Sequence, residues 1–256
     1  MKFNANYFIS LVESSTMNGP PEDKELELTE HLRELRERLI RISIVLVIAT
    51  SIVFYFSGSL INSFWTSIFG TQRIYVFSPL EWIITQLVFS LILSLVILYP
   101  YIIYELYLFA KPGLYEHERK FVKIILVPSY FIFLLGLFVS YKFIVPFLYR
   151  IAYVNIADPY FSAQKTMQNA FKLFLAFGIF SQIPLATVLA VRLRLVTYQT
   201  LKNFRIPVYI ISFLVITNVS MDFTGITQIT ALTMFIIMYE LGLILARFMN
   251  KKYIGE

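Results

Sequence analysis

The sequence contains no cysteine. That excludes a disulfide framework, a thiolate metal site and a cysteine nucleophile. It also leaves the redox compartment undecided. Histidine is nearly as scarce: His31 and His117 are the two present, each in a charged stretch. Without other ligand types beside them they read as interfacial hydrogen-bonding groups, and no metal site is expected. Charge is the third shortage. Only 15% of the 256 residues are Asp, Glu, Lys or Arg, against about 25% in a soluble globular domain. Catalytic signatures are missing too. There is no Gly-x-Ser-x-Gly elbow, no His-Glu-x-x-His pair and no Walker loop, so neither an enzyme nor a bound cofactor is expected.

What is present is apolar. Hydrophobic residues make up 58% of the chain, and the charges cluster in short blocks between long charge-free runs. That pattern describes a polytopic all-α membrane protein. The runs place six spans at approximately 42–64, 82–104, 124–147, 173–191, 206–221 and 223–246. A bend is expected at Pro100, and Lys142 snorkels near the end of the third span. Asp222 alone separates the last two spans. A 16-residue run reaches only about 24 Å, short of the ~30 Å hydrocarbon core. The final pair is therefore expected to be short, in thinned bilayer or not fully across. There is no internal repeat, which weighs against an inverted-repeat transporter.

Residues 1–24 show no span and no clean signal peptide, and read as a flexible tail ahead of a single membrane domain, 25–256. Gly19-Pro20-Pro21 breaks the tail, and Met17 opens a plausible shorter chain, so residues 1–16 are expected to be dispensable or an over-extended start. From Glu25 to Arg41 the composition turns to Glu, Arg and Leu. Leu28, Leu32, Leu35 and Leu39 form one helical stripe. Glu34 with Arg38, and Glu37 with Arg41, stand four apart on the polar side. This predicts an amphipathic helix at the interface that runs into the first span, with Thr29 as a possible cap.

The net charge of +6 reports topology rather than nucleic-acid binding. In the six-span layout 17 of the 22 Lys and Arg residues fall on one side, in the N-terminal stretch, the loops 105–123 and 192–205, and the C-terminus. The other five are Arg73, Lys142, Arg150, Lys165 and Lys172. The positive-inside rule then puts both termini in the cytoplasm or its organellar equivalent. The plasma membrane is the default location, with an organellar inner or thylakoid membrane as the alternative.

Several segments resemble a known family. His31-Leu-Arg-Glu-Leu-Arg-Glu-Arg-Leu39 is similar to the N-terminal signature of TatC, the receptor subunit of the twin-arginine protein translocase. Ser78-Pro-Leu-Glu81 resembles the segment before the family's second span. Phe109-Ala-Lys-Pro-Gly-Leu-Tyr-Glu-His-Glu-Arg119 resembles its first cytoplasmic loop. Phe143-Ile-Val-Pro-Phe147, Phe177-Gly178 and Gln182-Ile-Pro184 follow in order, so the resemblance covers nearly the whole chain. Two departures stand out. The family's Thr-Pro-Pro-Asp turn is replaced by Thr217-Asn-Val-Ser-Met-Asp222, and Gln182 stands where the fourth span often carries a glutamate.

The resemblance implies a receptor for signal peptides with two consecutive arginines. It also implies small single-span partners of the TatA and TatB kind, a homo-oligomeric receptor complex and a proton-motive-force energy source. Guanidinium groups stay charged and present planar donor forks, so their receptor needs carboxylates with room for bidentate pairing. Glu34 and Glu118 match the family positions for that contact. Phe109, Pro112, Leu114 and Tyr115 are the nearest candidates for the apolar part of the signal peptide. The residues alone leave a simpler account open, in which Glu34 pairs with Arg38 and Glu118 caps or solvates a loop. Gln182 and Gln228 inside spans either satisfy neighbouring helices or, as the resemblance implies, contact a partner's transmembrane helix together with Thr217. An ion- or proton-coupled secondary transporter is the alternative function, with Glu81, Glu105, Asp222 and Glu240 as relay carboxylates. Span-end positions make interfacial anchoring the better account of Glu105, Asp222 and Glu240.

Overall fold

The computed structural model describes residues 28–70, 75–153, 163–219 and 225–254. The expectations for residues 1–24 and for Asp222 lie outside these. The described residues form α1 (Leu28–Phe69), α2 (Pro79–Ala110), a 3-10 turn (Lys111–Gly113) and α3 (Glu116–Val139). A π-wound turn (Ser140–Ile144) leads into α4 (Val145–Tyr153), followed by α5 (Ala163–Phe180) and α6 (Ile183–Arg192). The short α7 (Tyr198–Asn203), α8 (Arg205–Val219) and α9 (Ile226–Ile254) complete the fold.

Among the described residues, five helical stretches are long and apolar enough to cross a membrane: 29–68, 79–113, 116–151, 164–192 and 226–249. A shorter apolar helix covers 205–217. Side chains such as Val47, Phe131, Ile210 and Ile229 are more than half exposed around the bundle. In water such a surface would be an aggregation hazard, and in a bilayer it is the lipid face. Serine and threonine hydroxyls along α1 turn back onto their own helix. Ser51 donates to the Val47 carbonyl at 2.9 Å, and Ser57 to that of Phe54 at 2.7 Å.

Four sequence expectations change. First, α1 runs unbroken for 42 residues, about 63 Å at ~1.5 Å per residue. The amphipathic stretch runs into the first apolar stretch as expected, but Thr29 lies within the helix rather than capping it. Second, only one of the final pair is short. α8 has 15 residues but α9 has 29, running from Ile226 to Ile254 with Glu240 inside it. The Glu240 carboxylate accepts hydrogen bonds from Arg205 and Tyr209 on α8, the Arg205 Nη2 at 2.7 Å. Third, the fourth segment is two helices. Pro184 has no N–H to continue the ladder of α5, and the chain restarts as α6 after Ser181-Gln182. Fourth, the Glu37 carboxylate pairs with Arg33 at 3.2 Å, not with Arg41, which turns to Glu105.

The π turn has a local cause as well. Pro146 would leave the carbonyl four residues back without a donor. The wider turn lets Val145 N–H reach the Ser140 carbonyl instead. Helix contacts depend on small residues, as expected where lipid removes the usual hydrophobic drive. A Cβ on Gly136 would stand 2.8 Å from the Phe177 carbonyl oxygen, and one on Gly242 would overlap the Thr187 side chain. These glycines let α3 meet α5 and α9 meet α6.

The packing sorts the helix ends into two groups. At one end Ser78 caps α2, its Oγ accepting from Leu80 N–H at 3.3 Å. The buried Glu81 carboxylate accepts from Phe77 N–H at 2.9 Å and from Gln164 N–H at 3.1 Å. Two helix starts thus share one carboxylate, which their dipoles favour. Tyr141 donates to Ser67 and Tyr149 to the Thr166 carbonyl nearby. The main core lies toward this end, where Ile61, Trp65, Phe89, Val145, Met167, Phe171 and Phe177 pack together. At the opposite end a smaller cluster of Tyr107, Leu114 and Val122 packs with Leu189 and Leu193.

Candidate functional site

The second end carries the candidate site. α1 begins there, α2 finishes there, and α3 starts after the 3-10 turn. His31 on α1 stacks on Phe109 of α2 with ring centroids 4.4 Å apart. This contact joins the two charged segments that the sequence singled out, although 77 intervening positions separate them in the chain.

Next to it lies a cluster of charges. Arg38 is held between two carboxylates. Its Nε and Nη2 donate to Glu34 Oε1 at 3.1 and 2.5 Å, and its Nη1 donates to Glu105 Oε2 at 3.1 Å. Arg41 Nη2 reaches the same Glu105 oxygen at 3.5 Å, and Tyr101 O–H donates to Glu105 Oε1 at 3.2 Å. The burial is graded: side-chain exposure is 8% for Glu105, 15% for Arg38, 30% for Glu34 and 56% for Arg41. Glu34 is thus the outward carboxylate and Glu105 the inward one. The expected Glu34–Arg38 pair is present, but it is part of a larger group. Interfacial anchoring does not account for Glu105. Its two arginine partners stand 64 and 67 positions away on α1, so only the placement of α1 on α2 reveals those pairings.

Glu118 sits in the first turn of α3 and accepts from Tyr115 N–H at 3.0 Å. The capping role is therefore real, and it leaves the carboxylate partly exposed. Arg119 Nε donates to the Leu114 carbonyl at 2.8 Å, which fixes the turn before α3. Of the apolar candidates, Tyr115 is 41% exposed and stacks on His117. Phe109 is half-covered by His31, Pro112 lies in the 3-10 turn, and Leu114 is buried with Tyr107 and Val122.

The polar residues within the bundle are not gathered in one place. Gln182, at the break between α5 and α6, accepts from Ser129 Oγ–H at 2.8 Å and donates from Nε2 to the Ser129 carbonyl at 3.2 Å. Its Nε2 also reaches Ser181 Oγ at 3.3 Å, and Ser129 Oγ lies 2.9 Å from Tyr99 Oη. This amide links α2, α3 and α5 internally. Thr217 is exposed on α8, and Gln228 is partly exposed near the start of α9. Between α5, α8 and α9 opens an apolar groove of about 410 Å³ lined by Leu173, Phe180, Ile211, Val215, Ala231 and Phe235.

Comparison with known proteins bears on this arrangement. The model of the TatC family, the Sec-independent protein translocase protein, matches residues 30–246. The Sec-independent protein translocase protein TatC of Methanocella arvoryzae is 32% identical over 234 residues, covering 90% of this chain and 97% of the relative. That of Aquifex aeolicus is 28% identical over 235 residues, with 89% and 97% covered. A crystal structure of the twin-arginine translocase receptor TatC in DDM superposes with a TM-score of 0.75 at 27% identity. The match covers 84% of this chain and 99% of that one.

Proposed function

Because this chain belongs to the TatC family of multi-pass, Sec-independent protein translocase proteins, we propose that it is the receptor of the translocase for signal peptides bearing two consecutive arginines. The observation that carries the reading is the stack of His31 on Phe109 beside partly exposed carboxylates. It brings acidic side chains for the guanidinium groups and apolar ones for the rest of the peptide to one end of the bundle. A partly desolvated carboxylate favours a planar, permanently charged donor over water far more than a free surface ion pair does. Glu34 and Glu118 are the two carboxylates in this role, with Phe109, Pro112, Leu114 and Tyr115 around them.

In this reading α8 completes a sixth crossing. The Lys- and Arg-rich end, with both termini, then faces the cytoplasm of a plasma membrane or the equivalent side of an organellar one. Folded cargo arrives on that face. Small single-span partners of the TatA and TatB kind dock on the lipid side, through Thr217 and Gln228 along the groove between α5, α8 and α9, with Gln182 deeper in the bundle. The receptor assembles as a homo-oligomer, and the proton-motive force drives export. Relay chemistry has less support. Glu81, Glu105 and Glu240 are each tied to local partners rather than aligned along a path.

Site-specific crosslinking tests the proposal. Glu34→Ala and Glu118→Ala should each reduce crosslinking to an Arg-Arg signal peptide several-fold, while the protein still elutes as a folded species from a sizing column. Undiminished crosslinking in both variants would refute the site.

A further inference from the structure

The candidate arginine-binding carboxylate is already occupied by an arginine of the same chain. Two Arg38 N–H groups rest on one oxygen of Glu34, at 3.1 and 2.5 Å. A guanidinium arriving from solution therefore meets a neutralised Glu34. If it bound without displacing Arg38, two like charges would share a single carboxylate at a partly desolvated position, which is costly.

We propose that Arg38 is an internal stand-in for the ligand: it holds Glu34 until an incoming guanidinium displaces it, and Glu105 then takes Arg38 over. This rests on the reading of Glu34 as an arginine-binding carboxylate. The geometry suits an exchange. Arg38 already has its Nη1 on Glu105 at 3.1 Å, so it can pivot about that bond without crossing open space. Glu105 has little to offer a peptide directly, because it is almost fully buried. It can still accept more from Arg38, since its other cation is weakly held. Arg41 stands off at 3.5 Å and is 56% exposed, so it can release to water at little cost. Tyr101 stays on the second oxygen and keeps the carboxylate oriented. Arg33 and Glu37 pair with each other on the outer face and leave the exchange undisturbed.

The exchange also bears on ligand choice. Replacing one guanidinium by another conserves the two N–H bonds to Glu34. A lysine ammonium is a point charge without the planar fork and cannot replace both in the same geometry. Arg38 would thus set a threshold that arginine passes and lysine does not. It acts as a specificity-determining residue, with Glu105 as its positioning partner.

The test uses the full chain in lipid nanodiscs, a fluorescent Arg-Arg signal peptide and its Lys-Lys counterpart, read by anisotropy. Arg38→Gln should tighten Arg-Arg binding by about fivefold or more and narrow the gap to Lys-Lys. Glu105→Gln should weaken Arg-Arg binding, because Arg38 then loses its alternative and stays on Glu34. Structural damage would lower both. Opposite signs from two touching residues are therefore the signature. Should Arg38→Gln fail to fold, Arg38→Lys keeps the charge, loses the fork and should also tighten binding. Unchanged or weaker Arg-Arg binding in the folded Arg38 variant would overturn the exchange. Failure of the underlying reading looks different: Glu34→Gln would then bind the peptide as well as the unmodified chain does.

Discussion

Gln182 shows how a single side chain is settled by its neighbours. In the sequence it is a polar group in an apolar run, suited narrowly better to an internal bond than to a partner helix. In the structure its amide has Ser129 on both its oxygen and its nitrogen, with Tyr99 behind Ser129. A leucine at this position would strand those hydroxyls in the bundle. Gln182→Leu should lower stability by about 1–2 kcal/mol, seen as a reduced apparent melting temperature in detergent. A variant that melts like the unmodified protein but no longer recovers a small single-span partner would instead mark Gln182 as a docking residue. Glu105 is the opposite case. Tyr101 four residues earlier was a visible clue, but the two arginines that define Glu105 come from α1. No local pattern predicts a pairing across 64 or 67 positions.

At the scale of elements, charge-free runs locate the long helices well, because an uncompensated charge in hydrocarbon is costly. The same rule misleads where a charge is compensated. With Asp222 alone between them, the last two spans both read as short. Yet α9 passes straight through Glu240, which Arg205 and Tyr209 satisfy from α8. The break between α5 and α6 was written in Pro184, and the π turn before α4 in Pro146, but the apolar run conceals both. Close approach is the other property that composition hides. Gly242 lies against Thr187 and Pro184, whereas Gly113 has open space where its side chain would be. Gly242→Val should overpack the α6–α9 contact at a cost of about 1–3 kcal/mol, while Gly113→Ala should leave packing undisturbed. Limited proteolysis of the two variants checks this: faster cleavage of Gly242→Val than of Gly113→Ala is expected, and equal rates would contradict the packing argument.

The whole molecule is a scaffold that brings distant segments to one end. Antiparallel helices return the chain to the same place after α2, after α6 and again along α9. There the segments around Glu34 and Glu118 meet through His31 and Phe109. The sequence motifs marked both segments. The shared end follows from packing: Tyr107, Leu114 and Val122 draw in Leu189 and Leu193. What the chain alone did not reveal is the third carboxylate, Glu105, behind the Glu34–Arg38 pair, since that contact depends on how α1 lies against α2. The central claim is that this end recognises paired guanidinium groups. The most direct measurement is the equilibrium affinity of the unmodified chain for two signal peptides that differ only in Arg-Arg versus Lys-Lys. The account predicts binding of the Arg-Arg peptide tighter by about tenfold or more. Equal affinity for the two peptides would contradict it.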